Sequence, residues 1–110
     1  MFQVIDMHCD TIPALQWKEK QEHLADADLQ INLDKLEKGG SLCQCFSLFT
    51  FLKGLKDETP FEHVRKLADL WKSEVERYPD RICQIKTYAD LMQVQKEGKI
   101  AVSYTHLRAH

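Results

Sequence analysis

Residues 41–51 read SLCQCFSLFTF, an apolar run that is long enough for a strand and too short for a stable helix. Continuous apolar runs are typical of strands that are buried on both faces of a parallel sheet. We therefore predict a strand over 42–50, with parallel partners over 3–8 and 99–104. The stretch RICQIKT, 81–87, is a weaker strand candidate.

Three helical segments separate these strands, and each has a residue suited to the N-cap and a glycine or proline at its end. The pairs of start and end residues are Asn32 and Gly39, Thr59 and Pro79, and Thr87 and Gly98. The longest helix, over 60–78, has an apolar stripe at helical spacing that we expect to pack on the strands. The stripe consists of Phe61, Val64, Leu67, Ala68, Trp71, Val75 and Tyr78. Strands that alternate with helices predict an α/β fold with parallel strands.

Composition limits the classes of partner. The chain has 110 residues, with 15 Lys and Arg against 17 Asp and Glu. Without an excess of positive charge, binding to nucleic acid or to an anionic membrane is not favoured. The first residues lack the basic and apolar regions of a signal peptide, and no apolar run is long enough to span a membrane. We expect a cytoplasmic protein of about one domain.

The segment 16–30, QWKEKQEHLADADLQ, is highly charged, and we predict that it forms a surface loop or a frayed helix. His23, which lies in this segment, is expected at the solvated surface, and so is His63 on the long helix. His106 and His110 are four residues apart. Because the tail has no helical pattern and no acidic third ligand, we do not expect these two histidines to bind metal.

The four cysteines lie in apolar, strand-like runs, as reduced cysteines that pack in a core do. We therefore predict no disulfide framework. Cys43 and Cys45 share one side of a strand, but no second cysteine pair or nearby histidine completes a zinc site, so core packing is expected. Gln44 faces away from these cysteines. Two roles stay open for it: a contact behind bound metal ions, or a hydrogen bond in the protein interior.

The stretch VIDMHCDTI, 4–12, has a histidine and an aspartate at the carboxyl end of the first predicted strand. A side-chain period of two puts Asp6, His8 and Asp10 on one side of this strand. The residues expected on the opposite, core side are Ile5, Met7 and Cys9. An imidazole nitrogen and a carboxylate oxygen that converge suit a divalent metal such as zinc. The spacing also fits a structural role, in which His8 ends the strand and Asp10 caps the turn at DTIP.

Two longer stretches, VIDMHCDTIPAL at 4–15 and INLDKLEKGGSLCQCFSLF at 31–49, resemble the start of the membrane dipeptidase family in order and spacing. The resemblance extends over residues 3–101. It implies the N-terminal portion of a (β/α)8 TIM-like barrel and a metal-dependent dipeptidase with two zinc ions. In that family the histidine and aspartate of the first motif bind metal, and the matching residues are His8 and Asp10. A small dipeptide is the implied substrate, and we allow for a homodimer of the complete enzyme.

The chain departs from the family pattern near its end. Leu107 stands where the resemblance leads us to expect a glutamate that bridges the two metals. We therefore divide the chain into 1–101, the N-terminal part of a dipeptidase-like metallohydrolase barrel, and 102–110, a tail that does not follow the family. A complete barrel needs about 250 residues. We expect a truncated, inactive fragment that lacks the later metal ligands and the substrate-binding residues.

Two other functions stay open. One is a non-catalytic α/β domain that packs on a partner, with His8 and Asp10 as structural caps. The other is an amidohydrolase-type metallohydrolase that acts on a cyclic amide or lactone. That superfamily usually has a second histidine where this chain has Asp10, which counts against it. No residue is assigned to catalysis or to substrate binding from the sequence.

Overall fold

Helices and strands alternate along the chain in the computed structural model, which describes residues 3–16, 22–25, 28–50 and 59–108. In order they are β1 (Val4–Asp6), α1 (Thr11–Gln16), α2 (Leu33–Lys38), β2 (Ser41–Thr50), α3 (Pro60–Arg77), β3 (Ile82–Gln84), α4 (Tyr88–Lys96) and β4 (Ile100–Arg108). The prediction of an α/β fold is confirmed. None of the helices in these ranges is both long and apolar enough to cross a membrane.

Within the described residues, four strands form one parallel sheet in the order β1–β2–β4–β3. Strands β2 and β4 pair continuously from Cys43 opposite Ala101 to Thr50 opposite Arg108. The predicted parallel pairing is confirmed, but the first strand is shorter than 3–8. Helices follow both β1 and β2, as in parallel α/β proteins. Strand β3 lies outside β4 and not between β2 and β4, which departs from the sequential strand order of a (β/α)8 barrel.

Strand β2 is apolar because helices cover both of its faces. On one face Phe46 packs against Trp71 of α3, with 4.8 Å between the ring centroids. The two side chains are almost completely buried, and burial of each ring stabilises the fold by roughly 2–3 kcal/mol. On the other face Cys43 packs with Val94 of α4 and with Ala101. These two contacts explain why the sequence of β2 is a continuous apolar run, since both faces of the strand are covered.

Helix α3 begins with a capping box. Glu62 N donates to Thr59 Oγ1 and Thr59 N donates to the Glu62 carboxylate, both at 3.2 Å. Leu67 and Trp71 are buried as predicted, but the prediction for Phe61 is wrong, because this side chain is 75% exposed. Phe61 precedes Leu67 by six residues, which places it about 120° round the helix from the buried face.

The predicted caps of the two shorter helices are present. The side chains of Asn32 and Thr87 each accept a hydrogen bond from the backbone N–H three residues on, at the starts of α2 and α4. Gly39 is the C-cap of α2, and the next residue, Gly40, has a φ of 73°. Gly98 has the same φ after α4. This left-handed conformation favours glycine. Helix α2 therefore ends with Gly39 as its C-cap and Gly40 in the left-handed conformation.

Arg81 ties helix α2 to the start of β3. Its guanidinium donates from Nε to Glu37 Oε1 at 2.8 Å and from Nη2 to Asp34 Oδ1 at 2.9 Å. The hydrogen bond to Glu37 is the largest cause of the raised pKa of Arg81. These two ion pairs connect α2, which precedes β2, to the residue before β3, the edge strand opposite β1.

Candidate functional site

The turn between β1 and α1 carries the predicted metal ligands, His8 and Asp10. Ser47 N of β2 donates to Cys9 O at 2.9 Å, which holds this turn beside the sheet. Ala14 N donates to Asp10 O at 3.3 Å, so helix α1 starts directly after the turn. Both side chains therefore follow the carboxyl end of β1, where parallel α/β proteins carry their functional groups.

His8 and Asp10 are brought together as their spacing predicts. His8 Nε2 lies 2.7 Å from Asp10 Oδ1, and the side chains are 52% and 60% exposed. Asp6 is held differently, because its Oδ1 accepts a hydrogen bond from His8 N at 3.2 Å. The Asp6 carboxylate thus stabilises the backbone of the turn, whereas the side chains of His8 and Asp10 contact each other at the surface.

The apolar residues of this segment differ from the prediction. Cys9 is buried, as expected for the core side, but Ile5 and Met7 are 53% and 68% exposed. The alternation fails because the pairing of β1 with β2 shifts register between Val4 and Ile5, and the strand ends at Asp6. As an edge strand, β1 also receives little cover from the described residues. The prediction that Ile5 and Met7 lie in the core is therefore wrong.

The carboxylate of Asp10 contacts His8, whereas the neighbouring side chain of Cys9 is buried. Burial is the largest cause of the raised pKa of the Cys9 thiol. Among the described residues, no backbone N–H of α1 is bonded to the Asp10 side chain. The capping role considered for Asp10 thus has less support than its pairing with His8.

The donor atoms of His8 and Asp10 fit zinc as two of its ligands. A tetrahedral zinc with ligand bonds of about 2.0–2.2 Å separates neighbouring donor atoms by about 3.4 Å. At 2.7 Å the two atoms instead form a direct hydrogen bond. Zinc would bind these two atoms in place of that hydrogen bond. Within the part of the chain that the structure describes, no third His, Cys, Asp or Glu completes a metal site.

A cavity of about 500 Å³ opens beside this pair. Its lining comprises His8, Cys9, Asp10, Thr11, Ala14, Asp28, Leu29, Gln30 and Ile31. The lining residues form two walls, one within 8–14 and one over 28–31. The walls are joined by a hydrogen bond that Thr11 Oγ1 donates to Ile31 O at 3.0 Å. The volume lies within the range of small-molecule sites, which combine apolar lining with a few polar groups.

A second histidine–carboxylate pair, which the sequence did not predict, joins residues 22–25 to α3. Glu74 is fully buried, and its Oε1 is 3.1 Å from His23 Nδ1 and accepts from Leu24 N at 3.2 Å. His63 is only 9% exposed, and the His23 side chain is 24% exposed. The predicted solvated positions of both histidines are wrong, and the predicted surface loop contains the fully buried Leu24. The burial of Glu74 could have been predicted from its position, because it follows the buried Trp71 by about one helical turn.

Strand β2 contains the remaining candidates. Cys43 and Cys45 are buried, as predicted for core packing, and burial raises the pKa of the Cys43 thiol to about 11. All four cysteines are free thiols. Gln44 is 1% exposed and donates from Nε2 to Cys45 O at 3.0 Å. This bond corresponds to the second of its two open roles, a hydrogen bond in the interior.

Strand β4 carries the residues that depart from the expected family pattern. Leu107 pairs in register with Phe49 near the carboxyl end of the strand. His110 lies outside the described residues, and the side chain of His106 is not described, so the prediction about this pair stays a prediction. The division of the chain at residue 101 stays a prediction too.

The sequence model of the family described as membrane dipeptidase (peptidase family M19) matches residues 1–110. No curated protein sequence matches. Among solved structures, the chain resembles an amidohydrolase from Pseudomonas aeruginosa with a TM-score of 0.58 and 17% identity, over 71% of this chain. At that identity the likeness shows the fold, and the chain spans 22% of the amidohydrolase. With the whole sequence matched by the family and both ligand candidates at the expected strand end, the chain belongs to the membrane dipeptidase family.

Proposed function

We propose that the complete protein is a metal-dependent dipeptidase and that His8 and Asp10 supply two ligands of its two-zinc centre. The observation that carries this proposal is the 2.7 Å contact between the imidazole and the carboxylate at the mouth of the cavity. Imidazole nitrogen and carboxylate oxygen are both ligands that zinc accepts in hydrolases. The family match supports a hydrolase that depends on metal.

Zinc bound at such a centre would lower the pKa of a water and polarise the scissile carbonyl of the substrate. His8 would contribute a neutral imidazole through Nε2, so a proton on that nitrogen would move to Nδ1 or to water when metal binds. The Asp10 carboxylate contributes negative charge to the metal site. Asp6 holds the backbone of His8 through its 3.2 Å hydrogen bond and so limits the positions that the imidazole can take.

The family match and the size of the cavity both support a dipeptide as the substrate. A cavity of about 500 Å³ is large enough for a dipeptide and too small for a folded protein chain. A cyclic amide or lactone would also fit by volume, so the substrate panel in any assay of the complete enzyme should include both. The remaining metal ligands and the groups that bind the peptide termini would come from residues outside those that the structure describes.

The ligand role can be tested on this chain by a zinc titration that is followed through the NMR signals of the His8 imidazole. We expect zinc to shift these signals in the wild type and in an Asp80→Ala control, which removes an exposed aspartate far from the turn in sequence. Asp10→Ala should weaken zinc binding by at least about tenfold, because one of two ligands is lost. Equal zinc affinity in Asp10→Ala and Asp80→Ala would contradict the proposal.

A further inference from the structure

Among the described residues, Glu74 is the most deeply buried charged residue that the proposed function leaves without a role. Its carboxylate is 0% exposed and has three partners: His23 Nδ1 at 3.1 Å, Leu24 N at 3.2 Å and Arg77 Nε at 3.3 Å. A buried carboxylate costs several kcal/mol of desolvation unless such partners offset it. Two of the three partners belong to one short segment, residues 22–25. The buried charge therefore holds that segment against α3.

A second bond from the same face of α3 reaches the same segment. Tyr78, one helical turn beyond Glu74, accepts a hydrogen bond on Oη from Ala25 N at 3.3 Å. Residues four apart lie above one another on a helix, so both side chains act on consecutive backbone amides of the segment. We refer to Glu74, with its bonds to His23 and Leu24, as the Glu74 clasp.

The clasped segment supports the wall of the cavity. Leu24 is fully buried, and Leu24 O accepts a hydrogen bond from Leu33 N at 3.0 Å. Leu29 and Ile31, which line the cavity, pack against the same hydrophobic cluster as Leu24. A displacement of Leu24 from α3 would therefore break the hydrogen bond to Leu33, which follows the wall residues 28–31, and remove one member of the cluster on which Leu29 and Ile31 pack.

We propose that Glu74 is a positioning residue: its clasp fixes the 28–31 wall of the cavity that holds His8 and Asp10. The inference rests on the proposed function in one respect, because the cavity matters for catalysis only if it is the substrate site. Position and chemistry separate Glu74 from the metal ligands. Glu74 does not line the cavity and does not contact His8 or Asp10. Its bonds go to other residues of the protein, so it would not contact a substrate.

The thiol of Cys9 gives a direct readout, because this residue lines the cavity and is only 7% exposed. Iodoacetamide alkylation of Cys9 and Cys43 would be measured by peptide mass spectrometry at one fixed pH, in the intact chain under native conditions. Glu74→Gln, Glu74→Ala and His23→Ala test the clasp. Glu76→Ala, on the exposed side of α3, is the matched control for charge and helix position.

We expect Glu74→Ala to raise the alkylation rate of Cys9 about tenfold, since local opening becomes easier when its hydrogen bonds are lost. Glu74→Gln and His23→Ala should give smaller increases, because each retains part of the clasp. Glu76→Ala should leave the rate unchanged. If Glu74→Ala fails to fold, the two milder variants decide the matter.

Val94→Ala separates positioning from a general loss of stability. Val94 packs with Cys43 on the opposite face of the sheet, so its truncation weakens the fold without touching the clasp. At an equal loss in melting temperature, Val94→Ala should raise alkylation of Cys43 but not of Cys9. The proposal is overturned if Val94→Ala exposes Cys9 as strongly as the Glu74 variants, or if those variants leave Cys9 protected. Alkylation needs neither metal nor substrate, so a failure of the proposed function would not produce either result.

Discussion

The chain contains two histidine–carboxylate pairs whose environments are opposite. His8 and Asp10 are 2.7 Å apart with about half of each side chain in solvent, whereas His23 and Glu74 are 3.1 Å apart with the carboxylate fully buried. Water screens the first pair and can replace either partner at little cost. The second pair cannot separate without leaving a charge in the protein interior. A histidine and a carboxylate thus form an exposed, exchangeable pair in one place and a buried structural contact in the other.

The largest difference between the pairs should appear in stability. Glu74→Ala leaves His23, Leu24 N and Arg77 without their buried acceptor, and we expect it to lower the free energy of unfolding by about 3 kcal/mol. Asp10→Ala removes an exposed partner and should lower it by less than about 1 kcal/mol. Urea unfolding of both variants beside the wild type measures the contrast. Equal losses would mean that burial does not separate the two pairs.

Zinc should act on the exposed pair alone. At ten times its dissociation constant, zinc should raise the free energy of unfolding by about 1.4 kcal/mol, because it binds the folded state only. The increase should persist in Glu74→Gln, relative to that variant without zinc, and disappear in His8→Ala. Thermal unfolding with and without zinc checks this. An increase that survives in His8→Ala would place the bound zinc elsewhere, for example on the cysteines.

Much of the scaffold could be predicted from the sequence because its signals are local. The capping box of Thr59 and Glu62, the N-caps Asn32 and Thr87, and the apolar run of β2 each depend on residues close together in the chain. His8 and Asp10 meet for the same reason, since they are separated by one residue. The resemblance to a family added the chemistry, which H-x-D spacing alone leaves open.

The rest depends on contacts between distant parts of the chain. Glu74 and His23 are 51 residues apart, and nothing in either neighbourhood marks them as partners. Phe61 continues an apolar stripe but falls beyond the face that α3 turns toward the sheet. Ile5 and Met7 follow an alternation that an edge strand with irregular pairing does not maintain. For Phe61, Ile5 and Met7, tertiary position overrides a correct local pattern, whereas for Glu74 and His23 no local pattern exists.

Cys43 is a buried ionisable residue that, unlike Glu74, has no oppositely charged partner among the causes of its pKa shift. Desolvation raises the pKa of its thiol from 9.0 to about 11, because the thiolate is disfavoured in the folded state. A group with a raised folded pKa stabilises the fold fully below its unfolded pKa, and this contribution is lost as the pH rises. We expect stability to fall between pH 9.0 and about 11. The fall should be smaller in Cys43→Ala, and an identical pH dependence in the two proteins would contradict this assignment.

The smallest expected effect is on catalysis by the 110-residue polypeptide itself, where we expect none. If the protein uses the proposed two-metal hydrolysis, both ions must be held, and the exposed pair would supply at most two ligands, which no third described His, Cys, Asp or Glu joins. Leu107→Glu should not restore activity, because a carboxylate opposite Phe49 adds one ligand where several are needed. The assay is hydrolysis of a dipeptide panel with excess zinc, in the wild type, Leu107→Glu and His8→Ala. Turnover in the wild type above that of His8→Ala would show that residues outside the described ranges complete the centre, and that the exposed pair is already a working part of it.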